Sequence, residues 1–137
     1  MIKGVIHQPE YFPWINLFVK ICQSDIFIFL DDVQYVRRSF QNRNFINNNN
    51  NKTWLTVPLQ KSNRSTLLKD IKIDNSKNWQ SKQLNLIFTC YKKTKFFDEI
   101  YSFIENLINR DFIFLSELNQ NLIISLSKKF NFKVKFI

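Results

Sequence analysis

Residues 4–14 read Gly4-Val5-Ile6-His7-Gln8-Pro9-Glu10-Tyr11-Phe12-Pro13-Trp14, and the parsing of this stretch decides the fold. The apolar start over residues 1–6 has the length of a short strand. Prolines at 9 and 13 then fix φ and push Gln8 and Phe12 toward extended conformations, so the chain leaves the strand as a stiff loop. Pro13 suits a first helical turn, where its missing N–H costs nothing. Trp14, Leu17, Phe18 and Ile21 follow at helical spacing, which predicts a helix over 13–22. Beyond Asp25 comes Ile26-Phe27-Ile28-Phe29-Leu30, a continuous apolar run whose composition suits a strand buried on both faces. Strand, loop, helix and buried strand open a βαβ unit with a parallel sheet.

Outward from this opening, residues 42–46 and 53–57 predict two short strands of a hairpin joined by the asparagine run 47–51. That run reads as a solvated loop tip lengthened by compositional drift, not as a binding element. Pro58 stops the second strand, 61–69 is a polar basic loop, and 71–73 predicts one more short strand. From about residue 78 the period becomes helical. Leu84, Ile87, Phe88 and Tyr91 share one face, Phe97, Ile100, Tyr101, Ile104 and Ile108 another, and Leu115, Leu118, Leu122 and Leu126 a third. Residues 131–137 alternate polar and apolar as a last strand does. The expected fold class is α/β: a small parallel or mixed sheet from the N-terminal half with a helical C-terminal half, in a single domain over 1–137.

Hydrophobic content of 45% with 16% aromatic residues marks a chain that folds around a core. A net charge of +9 favours nucleic acid, anionic membrane surface or phosphorylated small molecules, without choosing among them. Cys22 and Cys90 fall in helical segments and read as buried free thiols of a reducing compartment. With a single histidine besides, a Cys–His zinc site is not expected, and no metal or cofactor is called for. Gly4 is the only glycine, which excludes a phosphate-binding P-loop and a glycine-fingerprint dinucleotide site. There is no signal-peptide layout and no run of about 18 apolar residues. The expectation is a soluble, cytoplasmic protein that does not cross the membrane.

Ligands of open parallel sheets sit beyond the carboxyl ends of the strands, where His7 and the pair Asp31-Asp32 both fall. His7 could exchange a proton near neutrality, or simply stiffen its loop through a hydrogen bond. Asp31 and Asp32 could hold a metal, bind an amine or ribose, or orient His7; the alternative is an Asx-type turn or helix cap. Adjacent residues of an extended segment point to opposite faces, so one of the two should enter the crevice. Arg37, Arg38, Arg43 and Lys52 form a dense cationic segment whose guanidinium forks suit phosphate, or else a solvated loop. Tyr91-Lys92-Lys93-Thr94-Lys95-Phe96-Phe97 interleaves charge and rings as a single-strand binder would, but Tyr91 and Phe97 fit a helix face better, which argues against nucleic acid.

The opening His7-Gln8-Pro9-Glu10-Tyr11-Phe12-Pro13-Trp14 resembles that of the WbqC-like family of bacterial polysaccharide biosynthesis proteins. The likeness continues through Lys20, Asp31-Asp32-Val33-Gln34-Tyr35, Asn42-Arg43 and Trp54-Leu55-Thr56-Val57-Pro58, and more weakly at Tyr91-Lys92-Lys93 and Phe96-Phe97. Asn16 stands where that family usually has glycine, and its members generally run on through a further C-terminal region. The resemblance implies work on amino-sugar precursors of O-antigen or related glycans, as acyl or aminoacyl transfer to a nucleotide-linked amino sugar. By position it passes candidate roles to His7, Gln8, Tyr11, Asp31, Gln34, Asn42 and Arg43. The combined expectation is His7, Asp31 and Asp32 as catalytic groups, with Gln8, Tyr11, Gln34, Arg37, Arg38, Asn42 and Arg43 binding substrate. Alternatives are a non-catalytic module docking on a protein partner of a glycan pathway, and a basic single-stranded RNA binder.

Overall fold

The computed structural model describes residues 1–137. Strand β1 (Gly4–His7) leads through the proline loop to helix α1 (Ile15–Cys22) and strand β2 (Ile26–Phe29). A hairpin of β3 (Arg43–Asn48) and β4 (Asn51–Thr56) follows, then a single 3-10 turn (Leu68–Asp70). Helices α2 (Trp79–Tyr91), α3 (Phe97–Ile108) and α4 (Leu115–Lys129) precede a short β5 (Lys135–Phe136). The chain is thus a mixed α/β fold. One sheet is parallel with order β1-β2-β5, and the hairpin is antiparallel and separate. No helix is long and apolar enough to cross a membrane.

The parallel sheet is covered on one side only. Register pairs Val5 with Phe27, His7 with Phe29, and Phe27 with Phe136, so these side chains share a face. Under it α1 contributes Leu17, Phe18 and Ile21 and α4 contributes Ile123, closing a small core around the fully buried Phe27. The opposite face carries Gly4, Ile6 and Ile28, and Ile6 remains 61% exposed. The expectation of a strand buried on both faces is therefore corrected. Both helices that cover this sheet lie on the same side, and of β2 only Phe27 is sealed.

A larger core joins the hairpin to the helices. Leu55 and Val57 pack with Leu68, Ile71 and Ile73, with Leu84 and Ile87 of α2, Leu107 and Ile108 of α3, and Leu115, Leu118 and Leu122 of α4. Helix α4 thus faces both cores, which follows from its apolar residues at spacings of three and four.

Several local expectations are also corrected. The first helix begins at Ile15, with Trp14 extended before it and outside the buried face. Phe12 has φ +43°, a left-handed conformation where the following proline predicts an extended one. Its carbonyl accepts the Asn44 side-chain amide at 2.7 Å and its ring packs on Tyr11 4.8 Å away, contacts that hold the unfavourable backbone. The asparagine run is mostly strand. Only Asn49 and Asn50, both at positive φ, form the turn. Residues 71–73 contribute isolated bridges, Ile73 to Leu59 and Lys72 to Phe114, and no strand. Cys22 ends α1 exposed and Cys90 is half-buried, so neither is the sealed thiol expected.

Candidate functional site

The histidine loop starts where β1 ends. His7 Nδ1 lies 2.8 Å from the Gln8 carbonyl oxygen. A carbonyl only accepts, so Nδ1 donates this bond, and Nε2 is the ring nitrogen left without a partner in the loop. Glu10 stands near enough to feel His7 and Lys20. Burial raises its carboxyl above the ordinary glutamate value, against the opposing pull of His7 and Lys20.

Asp31, just past β2, is held from the far end of the chain. Its carboxylate accepts hydrogen bonds from Ser116 Oγ at 2.6 Å and Gln120 Nε2 at 3.0 Å, one turn apart on α4. Its neighbour Asp32 is exposed.

Four of the expected binding residues converge elsewhere. Arg37, Arg38, Asn42 and Arg43 line a cleft of about 480 Å3, together with Tyr35, Thr56 and Lys61. Its walls are the segment entering β3 and the loop leaving β4. The Arg37 guanidinium donates to the Ser62 carbonyl at 3.0 Å, and Arg43 donates to the Arg38 carbonyl at 2.7 Å. Arg38 itself has φ +60°. No carboxylate neutralises these guanidiniums, since the single ion pair of the molecule is Lys129 with Glu99. Asn42 Nδ2 donates to the Val57 carbonyl, while Asn42 Oδ1 and Arg43 Nε are buried without partners. Burial pushes the Tyr35 phenol up, against the pull of Arg37 and Arg43, so it is protonated at neutral pH.

A buried amide network ties the cleft to the histidine loop. Gln41, next to Asn42, donates from Nε2 to Gln8 Oε1 at 2.6 Å and accepts the Val36 N–H at 2.9 Å. Asn119 of α4, fully buried, donates to the carbonyls of both Gln41 and Pro9. Gln8 is therefore anchored at the junction. Gln34 is exposed and donates to the Arg64 carbonyl. Tyr11 lies in the core, donating to Gln83 Oε1 at 2.6 Å, and burial keeps its phenol protonated. His7, Asp31 and Asp32 are not among the residues lining the cationic cleft.

Glu10, Gln41, Lys61, Ser116, Asn119 and Gln120 were not singled out by sequence reasoning. Lys61 had a signal, its place in a basic loop. The others take their roles from partners far along the chain, for which a single sequence holds no mark. No group of three or more His, Cys, Asp or Glu side chains is arranged to hold a metal ion.

Fold and site together define an α/β protein with an uncompensated cationic cleft beside a histidine-bearing loop. The chain belongs to the WbqC-like protein family, whose model matches residues 8–137. It is also 42% identical over 64 residues to an uncharacterized protein of Mycobacterium tuberculosis. That alignment covers 47% of this chain and 28% of the relative. No solved structure matches the chain.

Proposed function

We propose that the protein serves bacterial polysaccharide biosynthesis by transferring an acyl or aminoacyl group to a nucleotide-linked amino sugar. The supporting observation is the cleft: three arginines and a lysine with no acidic neighbour form a site for a phosphorylated group. In this reading Arg37, Arg38 and Arg43 hold the pyrophosphate, and Asn42 and Gln8 orient the sugar. The sugar amine attacks the acyl carbonyl, a C–N bond forms, and the bond to the donor's leaving group breaks. His7 Nε2 takes the amine proton and returns it to the leaving group, while Asp31 steadies the amine from the neighbouring strand end.

The test is transfer to a uridine-diphosphate-linked amino sugar, followed by mass spectrometry across acyl and aminoacyl donors. His7→Ala should lower turnover about 100- to 10,000-fold, the usual reach of a general base, with the circular dichroism unchanged. Unaltered turnover would remove His7 from the mechanism. A second reading is a module that binds the nucleotide sugar without transforming it. It is favoured by the cleft itself, whose lining holds neither histidine nor carboxylate. Tight binding with no transfer from any donor would select it.

A further inference from the structure

We propose that the outer face of the β3–β4 hairpin is a stacking platform for the nucleobase of a nucleoside diphosphate whose phosphates occupy the cationic cleft. This rests on the reading of the cleft as an anion site. Register carries the argument. Arg43 pairs with Thr56 and Phe45 with Trp54, while the alternate pair, Asn44 with Leu55, is buried toward the core. Arg43, Phe45 and Trp54 therefore share the opposite, outer face. Trp14 and Phe40 complete the group from the two adjoining loops. Trp14 meets Phe45 edge-on at 5.2 Å, Phe45 meets Trp54 at 5.4 Å, and Phe40 lies tilted against Trp54 at 6.3 Å.

These four rings belong to neither hydrophobic core. Trp14 is 49% exposed, Trp54 45% and Phe40 37%. Clustered exposed aromatic rings are what interaction sites show and cores do not. The Arg43 guanidinium lies 4.3 Å from the Trp54 ring centroid and also lines the cleft, so one residue is common to the anion site and the platform. A cationic cleft adjoining flat rings matches a ligand with a diphosphate at one end and a base at the other. Stacking accepts any base because every base has a π-face.

The probes are uridine 5′-diphosphate, inorganic pyrophosphate and a short oligouridine, read through tryptophan emission. Trp14 and Trp54 are in the platform, while Trp79, 4% exposed, supplies a constant core signal. Uridine diphosphate should quench and bind roughly 5- to 150-fold more tightly than pyrophosphate, the stacking energy of one base converted at tenfold per 1.4 kcal/mol. Trp14→Leu, which removes a platform ring that does not touch Arg43, should reduce that advantage and leave pyrophosphate affinity unchanged, and Phe40→Leu repeats the measurement should the first variant fold poorly. Equal affinities for the diphosphate and pyrophosphate would overturn the platform while leaving the cleft intact. Binding of neither probe would overturn both. An oligouridine held far more tightly than the mononucleotide would overturn the assignment in favour of a nucleic-acid strand.

Discussion

The Tyr11 hydroxyl donates to Gln83 Oε1, and Gln83 in turn donates to the Thr56 carbonyl, so one buried chain of hydrogen bonds fastens the proline loop to α2 and the hairpin. Removing that hydroxyl leaves Gln83 Oε1 in the core without a donor. Tyr11→Phe should therefore cost about 1–3 kcal/mol, the usual penalty of an unsatisfied buried polar group. The measurement is the urea midpoint at constant slope. Unchanged stability combined with lost ligand binding would place the hydroxyl in the site instead of the core. His7, four residues earlier, is in a different position. It is half-buried and keeps Nε2 free of the loop's own hydrogen bonding, so its substitution should be felt in chemistry before stability.

At the scale of elements, the hairpin turns through Asn49 at φ +48° and Asn50 at φ +66°. Two positive φ angles in succession suit the asparagine–glycine pair, because only glycine enters the left-handed region without a steric cost. Asn50→Gly should stabilise the fold by a few tenths to about 1 kcal/mol. Thermal denaturation checks this, and a loss of stability would mean that the Asn50 side chain holds the turn. The parallel opening of the fold was legible because period and proline placement are local properties: residues 4–7 and 26–29 differ in pattern from 15–22. The cationic segment was legible for the same reason, since Arg37, Arg38 and Arg43 lie within seven positions. What a single sequence concealed was pairing. Nothing near Gln41 announces Asn119, and nothing near Asp31 announces Ser116 or Gln120. Trp54 joins Arg43 only once the hairpin register is set. Phe12 escaped for an opposite reason: tertiary contacts with Asn44 and Tyr11 overrode the local preference imposed by Pro13.

At the scale of the molecule, twenty Lys and Arg face eleven Asp and Glu, and a single ion pair links them. Self-repulsion of this kind weakens the compact state, so any added salt relieves some of it by screening. A specific anion site adds a different term, because a ligand that binds only the folded chain stabilises it by mass action, about 2.7 kcal/mol at one hundred times its dissociation constant. For a chain of this size that raises the melting temperature on the order of 10 °C. Pyrophosphate should thus exceed sodium chloride at equal ionic strength. Arg37→Ala together with Arg43→Ala should erase the excess while keeping the general salt effect. The double substitution relieves some self-repulsion but also removes the hydrogen bonds to the Ser62 and Arg38 carbonyls and the Arg43–Trp54 contact, so each salt shift is read against the substituted protein's own melting temperature in dilute buffer. Equal shifts from pyrophosphate and chloride in the unmodified protein would reduce the cleft to one more part of a diffuse positive surface, and the nucleotide-sugar reading would lose its footing with it.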